Sequence, residues 1–377
     1  MRVTRFFAVA IGASALLAAG MVPATAAAER DLGAAGHGPH GGNKTLRQAA
    51  PKGFAVGAAA AGGGHHADQD YPDPFTHDRE YRGVLARHFS SLTPENQLKW
   101  EFVHPKRNKY NFGPADAIVR FAQRNGQKVR GHTLLWHSQN PAWLNDGKFS
   151  AKQLRKILKD HIFTVVGRYR GKIHQWDVAN EIFDENGKYR KSENIWLRKL
   201  GTGVIADAFR WAHQADPKAK LFLNDFGAEG VNARSTAYLK LLKRLRAAGV
   251  PVHGFGVQGH LSLAYPFPSD MAANLKRFEK AGFETAVTEL DVRIPLKDGK
   301  ATQKQLKTQA DYYRKAAEAC LSVRRCKSFT VWGTTNRYSW VPIFFPKEGE
   351  ATIFTDDFRP KRAYTALRDT LAKARRH

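Results

Sequence analysis

Two glutamates stand at the downstream ends of two strand-like apolar runs, a placement typical of catalytic groups. Glu181 closes the run 172–181, and Glu289 follows the run 283–288. A strand of a parallel barrel is buried along its length and opens onto a pocket only at its carboxyl end, so a carboxylate there is placed for chemistry. Two such carboxylates are the minimum that cleavage of a glycosidic bond requires. The alternative is a surface or salt-bridged carboxylate, the commonest fate of a glutamate.

Eight short apolar runs, separated by longer amphipathic stretches, predict alternating strands and helices. Helical spacing of apolar residues is clear at 115–122, just after Pro114, and at 154–162. Eight strand-helix units without a break in composition predict closure into a single (β/α)8 TIM barrel of the α/β class. The alternative is an open doubly wound sheet, but the segment 62–66 lacks the glycine spacing of a phosphate-binding loop. The predicted strands are 54–58, 88–92, 128–134, 173–178, 220–223, 253–257, 285–288 and 328–332.

The start of the chain has the pattern of an export signal. Arg2 and Arg5 precede an apolar stretch over 6–22, and small residues at 24–28 offer cleavage sites. An uncleaved membrane anchor is the alternative, but the apolar stretch is short and rich in Ala and Gly. We therefore expect a secreted, extracellular, monomeric protein without membrane contact after cleavage. The predicted segments are a signal peptide over 1–28, a flexible leader over 29–52 and the barrel domain over 53–377.

The chain is strongly basic. Its 377 residues include 60 Lys and Arg against 34 Asp and Glu, a formal net charge of +26, or 26 − 2 = +24 without Arg2 and Arg5. Such a charge suggests nucleic acid, an anionic surface or a polysaccharide with uronic acids as partner. The basic residues are scattered and form no nucleic-acid motif, which favours a solvated basic surface. No nucleic-acid partner is predicted.

The cysteines and the leader histidines offer two further chemistries. Cys320 and Cys326 are the only cysteines, and two nearby cysteines of an exported protein usually pair, so we expect a disulfide that tethers a helix end to a strand start. Their spacing is not Cys-x-x-Cys and no third ligand accompanies them, which disfavours a redox or metal role. The leader histidines, such as His37 and His40, could bind metal, but a disordered linker is favoured.

Polar and aromatic residues cluster at the downstream ends of seven consecutive predicted strands. Because the carboxyl ends of parallel strands meet on one face of a barrel, these residues are expected to converge. The segments are 93–100, 130–139, 180–181, 224–225, 258–260, 289–291 and 332, with Trp340 in the following loop.

These segments resemble glycoside hydrolase family 10, the endo-1,4-β-xylanases, from about Phe54 to Tyr364. The motifs are Thr-Pro-Glu-Asn-x-x-Lys-Trp, Arg-Gly-His-Thr-Leu-x-Trp-His-Ser-Gln, Trp-Asp-Val-x-Asn-Glu, Thr-Glu-Leu-Asp and Val-Trp-Gly-x-x-x-x-x-Ser-Trp. Each alone is weak, whereas together and in order they are specific. The cysteine pair is similar to the family's too. The resemblance implies hydrolysis of internal β-1,4 bonds of xylan with retained anomeric configuration, and no cofactor or metal.

The two glutamates receive different roles, which the resemblance also implies. Glu181 is the expected proton donor and later base, and Glu289 the expected nucleophile. His260 is the most plausible group to hold Glu289 ionised by a hydrogen bond, with Asp291 supporting that histidine. Retention predicts that the two carboxyl groups lie about 5 to 5.5 Å apart, whereas a separation near or above about 7 Å would indicate inversion.

Further residues match positions that contact sugar in the family. Asn180 is expected to bond the sugar 2-hydroxyl, and three tryptophans are expected to form apolar walls for the rings, with ordinary core packing as the alternative. A metal site of His132 and His137 is disfavoured, since their spacing crosses a strand end and no third ligand is evident. The predicted substrate-binding residues are Glu95, Asn96, Lys99, His132, Trp136, Gln139, Asn180, Gln258, His260, Asp291, Trp332 and Trp340.

The chain departs from the family pattern at three places, which affects fine specificity. Phe226 and Gly227 replace the usual Tyr and Asn, Asn336 replaces an Asp, and the loop 341–350 is longer and more apolar. Three alternatives stay open: a relative that cuts another β-linked glycan or a plant glycoside, a non-catalytic carbohydrate-binding protein, and a polyanion-binding protein. A non-catalytic relative would be expected to have lost one glutamate, and both are present.

Overall fold

The computed structural model describes residues 44–71 and 73–374. The predicted signal peptide over 1–28 and most of the predicted leader lie outside the described residues. No helix within 44–71 and 73–374 combines the length and the apolar character needed to cross a bilayer.

Eight parallel strands close into a barrel. Each strand pairs with the next along the chain, and the last pairs with the first, Ala55 opposite Ser328. This closure confirms the predicted (β/α)8 barrel and excludes the open sheet. The strands are β1 (Ala55–Ala60), β2 (Ser91–Pro94), β3 (Lys128–Leu135), β4 (Gln175–Asn180), β5 (Lys220–Asp225), β6 (Gly254–Val257), β7 (Glu284–Pro295) and β8 (Cys326–Val331).

The barrel strands are buried on both faces because helices cover the outside and side chains fill the inside. All six residues of β1 and all six of β4 are buried. Gly57 of β1 has no room for a side chain, since a Cβ there would lie 2.6 Å from Thr330 Oγ1. The same holds for Gly131 of β3, where a Cβ would overlap the ring of Trp176.

The helices begin where the sequence supplies the signals for it. The helix predicted after Pro114 runs over Gly113–Arg124 with Pro114 in its first turn, and Ser150 caps the next long helix by accepting a bond from Gln153 N. The helices are α1 (Leu46–Ala49), α2 (Pro74–His77), α3 (Arg79–His88), α4 (Trp100–Val103), α5 (Gly113–Arg124), α6 (Ala142–Asn145), α7 (Ala151–Arg168), α8 (Ile195–Leu200), α9 (Val204–Ala215), α10 (Ala233–Ala247), α11 (Met271–Lys280), α12 (Gln303–Leu321), α13 (Val341–Phe344) and α14 (Arg362–Lys373).

Two predicted strand boundaries differ from the structure by more than two residues, and the others differ by two residues at most. His88 ends α3 instead of beginning a strand. Its side chain packs toward α14, where its Nδ1 lies 2.9 Å from Tyr364 OH. The seventh strand does not stop before Glu289 but continues to Pro295. Its second half pairs with the short strands His260–Ser262 and Glu348–Gly349, which lie outside the barrel wall.

The folded domain begins before the predicted boundary at residue 53. It extends from Lys44, and α1 is part of it. Leu46 is fully buried, and the guanidinium of Arg47 donates to the backbone oxygens of Ala86 and Asn125. Residues 44–52, assigned to a flexible leader from their composition, are therefore held by the buried side chains of Leu46 and Ala49 and by the bonds of Arg47 to these backbone oxygens.

The predicted disulfide is present. Cys320 lies at the end of α12 and Cys326 begins β8, with their Cα atoms 5.4 Å apart. The disulfide connects the end of α12 to the start of β8 across the short turn between them, as expected.

Candidate active site

The predicted site residues lie at the carboxyl ends of the barrel strands. Asn180 ends β4 and Glu181 follows it, Asn224 lies near the end of β5, and Gln258 follows β6. Glu289 lies within β7 at the level of these ends, because its backbone N–H bonds the backbone oxygen of Gln258 at 2.8 Å. The predicted site residues that have hydrogen bonds or ring contacts in this region are Glu95, Asn96, Lys99, His132, Trp136, Gln139, Asn180, Glu181, Gln258, His260, Glu289, Asp291, Trp332 and Trp340.

Glu289 is a buried carboxyl surrounded by donors. It is 3% exposed, its Oε1 accepts from Asn224 Nδ2 at 2.7 Å and lies 3.5 Å from an Arg130 nitrogen, and its Oε2 lies 3.3 Å from His260 Nε2. Burial alone would raise its pKa, but His132, His260 and Arg130 together lower the pKa of Glu289 below its ordinary value. The carboxyl is therefore ionised at neutral pH.

Two aspartates hold the cationic side chains around Glu289. Asp177 accepts from Arg130, with Nε at 3.2 Å from Oδ1, and lies 2.8 Å from His132 Nδ1. Asp291 Oδ2 lies 2.9 Å from His260 Nδ1. Burial disfavours a charged imidazole, yet Asp291 and Glu289 outweigh it and raise the pKa of His260 to about 10. His260 is therefore protonated at neutral pH and donates from both ring nitrogens.

Glu181 has a different environment. Its Oε2 accepts from the indole Nε1 of Trp136 at 2.8 Å, its Oε1 accepts from Gln258 Nε2 at 3.0 Å, and His137 Nε2 lies 3.9 Å away. Burial lowers the pKa of His137, which favours the neutral imidazole. The two groups that donate hydrogen bonds to the Glu181 carboxyl, Trp136 and Gln258, are thus both neutral, whereas cationic side chains contact the Glu289 carboxyl. Its backbone φ of 53° is unusual for this residue type.

A chain of side-chain amides joins the two carboxyl groups. Asn180 Oδ1 accepts from Gln258 Nε2 at 3.3 Å and from Asn224 Nδ2 at 2.9 Å. Gln258 also donates to Glu181, and Asn224 also donates to Glu289. The predicted 2-hydroxyl contact, Asn180, is therefore fixed midway between them.

The three predicted tryptophans lie in this region, but they are not equivalent. Trp136 is partly exposed with Lys99 Nζ 5.1 Å from its ring, whereas Trp332 is only 4% exposed. Trp340 donates from Nε1 to Asp291 Oδ2 at 2.7 Å and lies 5.1 Å from the His260 ring. Trp340 therefore also positions the aspartate that supports His260.

Glu95 and Asn96 are buried beneath a 3-10 turn over Gly64–Asp68 that follows β1. Glu95 Oε2 lies 2.6 Å from His66 Nε2. Asn96 Oδ1 accepts from Lys99 Nζ at 3.0 Å and from Gln139 Nε2 at 3.2 Å. Their predicted contact with sugar stays a prediction.

The metal pair considered from the sequence does not form. His132 faces Asp177 and Glu289, whereas His137 faces Glu181. Ligand atoms of His132, Asp177 and Glu289 do lie within 4.8 Å of one another. The guanidinium of Arg130 bonds Asp177 and lies beside Glu289, so it already supplies the positive charge there.

Comparison with known proteins identifies the family. The family model described as Glycosyl hydrolase family 10 matches residues 45–370. The chain belongs to this family.

This family 10 chain is similar to xylanases of several organisms. Endo-1,4-beta-xylanase B of Thermotoga neapolitana is 42% identical over 292 residues, which cover 78% of this chain and 83% of that protein. Endo-1,4-beta-xylanase of Agaricus bisporus is 41% identical over 281 residues, covering 74% and 83%. The crystal structure of xylanase 10B from Thermotoga petrophila in complex with xylobiose has a TM-score of 0.82 and 39% identity, covering 89% of this chain and 99% of that one.

The departures from the family 10 pattern lie in defined surroundings. Phe226 is 37% exposed, with the Arg234 guanidinium 4.7 Å from its ring. Asn336 donates to Glu350 Oε2 at 2.6 Å and accepts from Thr352 Oγ1 at 2.7 Å. Asn336 thus ties the loop after β8 together, whereas Phe226 presents an apolar surface.

Sequence reasoning did not assign roles to three residues of this family 10 site. Arg130 and Asp177 lie in two of the motifs given above, and Asn224 lies in the strand-end segment 224–225. Their buried position on strands was the available signal, because a buried charged or amide group needs a partner. The turn that carries His66 had no such signal, since it matches no motif.

Proposed function

We propose that this protein is an extracellular endo-1,4-β-xylanase that cleaves internal bonds of xylan with retention of configuration. The observation that carries the proposal is the contrast between its two buried carboxyl groups. Glu289 is surrounded by cationic donors that keep it ionised, whereas Glu181 is bonded only by neutral groups. The named relatives and the xylobiose complex support xylan as the substrate class.

The first step forms a covalent intermediate. Glu289 attacks the anomeric carbon while Glu181 gives its proton to the leaving glycosidic oxygen. The sugar chain on that side departs as an alcohol, and the remaining xylosyl unit is an ester of Glu289. Positive charge that develops on the ring in the transition state is opposed by the ionised carboxyl below it.

The second step returns the enzyme to its starting state. Glu181, now ionised, takes a proton from a water molecule, whose oxygen attacks the anomeric carbon and displaces Glu289. Two inversions give net retention, for which the separation of the carboxyl groups is expected to be about 5 to 5.5 Å. Asn180, held by Gln258 and Asn224, is placed to bond the 2-hydroxyl during both steps.

Azide rescue tests both roles together. Glu289→Ala assayed on xylan with added azide is expected to yield the α-glycosyl azide, because azide then attacks from the face that the nucleophile has vacated. Glu181→Ala, assayed on an aryl xylobioside whose phenolate leaves without a proton, is expected to yield the β-glycosyl azide, because azide replaces water in the second step. The same azide anomer from both variants would contradict the assignment.

A second candidate substrate is favoured by one observation. Phe226 and Gly227 remove the hydroxyl and amide that the family pattern usually presents, and the exposed Phe226 ring suits a less polar leaving group. With this second substrate class, the protein would act on another β-linked glycan or on a plant glycoside. Comparing rates on xylan, cellulose and an aryl xylobioside separates the two, and negligible activity on xylan would contradict our proposal.

An extracellular site of action is part of the proposal. The predicted signal over 1–28 and the disulfide between Cys320 and Cys326 support it, because disulfides persist in oxidising compartments. Expression with and without residues 1–28, followed by assay of medium and cells, tests this location. If the chain that lacks residues 1–28 were also active in the medium, the role of these residues in export would be contradicted.

A further inference from the structure

Two consecutive histidines, neither of which has a role in the proposed reaction, form a cluster beside the cleft with the buried Glu95. The turn over Gly64–Asp68 presses His65 and His66 against Glu95. His66 Nε2 lies 2.6 Å from Glu95 Oε2, and His65 Nε2 lies 3.7 Å from Glu95 Oε1. The ligand atoms of all three residues lie within 4.8 Å of one another. We refer to these three residues as the histidine cluster.

Two atoms of the histidine cluster are buried without hydrogen bonds. Within 44–71 and 73–374, neither His65 Nε2 nor Glu95 Oε1 has a hydrogen-bond partner, and both atoms are inaccessible to solvent. The side chain of Glu95 is only 1% exposed. A buried carboxylate oxygen without a partner is costly. The two atoms face each other, so a single ligand between them would satisfy both.

We propose that the histidine cluster binds one divalent transition-metal ion of the Zn²⁺ class. Two imidazole nitrogens and one carboxylate are a donor set that Zn²⁺ prefers, with water as a fourth ligand. Ligands of a tetrahedral Zn²⁺ lie about 3.3 Å apart, given bonds of about 2.0 to 2.2 Å. The 3.7 Å between His65 and Glu95 is already close to this value.

Binding requires one local adjustment. The hydrogen bond of His66 Nε2 to Glu95 must open from 2.6 Å to about 3.3 Å, and its proton leaves to solvent as the metal replaces it. The other ring nitrogen of His66 bonds Tyr71 OH at 2.8 Å, an outer contact that holds the imidazole plane. The side chain of His65 is 13% exposed, so the ion can enter from its side.

The charges around the histidine cluster limit its affinity. Lys99 is close enough to act electrostatically on both Glu95 and His65, and its positive charge opposes a bound cation. Its ammonium bonds Asn96 Oδ1 at 3.0 Å, so it does not occupy the space between His65 and Glu95. Because Glu95 itself and its neighbours Asn96 and Lys99 are predicted to contact sugar, an ion on the histidine cluster is expected to raise the KM for substrate more than it lowers kcat.

Titration calorimetry with Zn²⁺ on the full chain tests the proposal directly and needs no activity assay. Both cysteines are in the disulfide, so no thiol competes for the metal. The background variant carries His37→Ala and His40→Ala, which removes two leader histidines as competitors. In that background we expect one Zn²⁺ per chain, and no comparable heat with Mg²⁺, which prefers oxygen ligands.

His65→Ala in the same background is expected to weaken Zn²⁺ binding at least about 10-fold, since even an outer partner of a ligand contributes that much. His65→Gln, which retains a polar side chain of similar length, is expected to weaken it comparably, and circular dichroism checks that both variants fold. His77→Ala, an exposed histidine of α2, is the matched control and should bind as the background does. Undiminished binding by both His65 variants, or no binding by the background variant, would overturn the proposal. Either result would leave the azide-rescue assignment of the reaction untouched.

Discussion

Replacing His260 should remove a pH-dependent part of the protein's stability. The imidazole has a pKa of 6.5 when free and about 10 in the fold, where Asp291 and Glu289 face it. Because the folded pKa is the higher one, the stabilisation is complete below about pH 6.5 and is lost as the pH rises through about 10. At about 1.36 kcal/mol for each pH unit of difference, its upper limit is about 5 kcal/mol.

The assay is urea unfolding of the wild-type chain and of His260→Gln at several pH values. The difference in free energy of unfolding between them should shrink by about 3 kcal/mol between about pH 6 and about pH 9. His77→Gln, a replacement at an exposed position, serves as control and should show no such change. An equal difference at both pH values would refute the argument that His260 is held as an imidazolium.

The same variant tests the state of the nucleophile. His260 is one of the groups that lower the pKa of Glu289. Its removal should therefore move the acid limb of kcat/KM toward higher pH, because Glu289 then protonates more readily. An unmoved acid limb together with a changed stability profile would mean that His260 supports the fold but does not tune Glu289.

Three further outcomes are expected. Asn224→Ala removes the 2.7 Å bond to Glu289, and since a bond to a charged group contributes about 1.5 to 3 kcal/mol, kcat/KM on xylan should fall about 10- to 100-fold. Trp136→Phe removes the 2.8 Å bond to Glu181 but keeps an aromatic wall, so the basic limb of kcat should move while KM changes less. Cys320→Ser opens the disulfide and should lower the free energy of unfolding by about 2 kcal/mol, measured by urea titration.

Each of these expectations has a contradicting result. A rate for Asn224→Ala within about twofold of wild type would mean that the amide does not act on the ionised nucleophile. An unchanged pH profile for Trp136→Phe would show that the indole N–H does not bond the acid in the working enzyme. Equal stability of Cys320→Ser and wild type would show that the disulfide does not constrain the unfolded chain.

The barrel and the convergence of its strand ends could be predicted because both follow from burial along the chain. A strand covered on both faces is usually rich in apolar residues, so β1 stands out from the amphipathic helices that follow it. Polar residues then appear where a strand leaves the core. The extent of β7 could not be predicted this way, because its second half is stabilised by pairing with segments distant in sequence.

Parts of the site could be predicted where the chemistry restricts the type of residue. They could not be predicted where contacts between distant segments determine which residues meet. The positions of Glu181 and Glu289 could be predicted because both end apolar runs, and both lie at the level of the carboxyl ends of the strands, whereas their catalytic roles stay a proposal. The turn bearing His65 and His66 could not be placed over Glu95, since that contact joins residues about thirty positions apart in the chain. Likewise Leu46 shows no apolar period in its neighbourhood, yet the core accepts it.

The amide chain between the two carboxyl groups has a consequence for proton movement. Gln258, Asn180 and Asn224 connect Glu181 to Glu289 by continuous hydrogen bonds, yet an amide does not exchange its protons readily enough to act as a relay. The two carboxyl groups are thus linked mechanically and electrostatically but insulated from each other as acids. In the proposed mechanism, every proton that Glu181 gives away must therefore return from the water that completes the cycle, and none can come from Glu289.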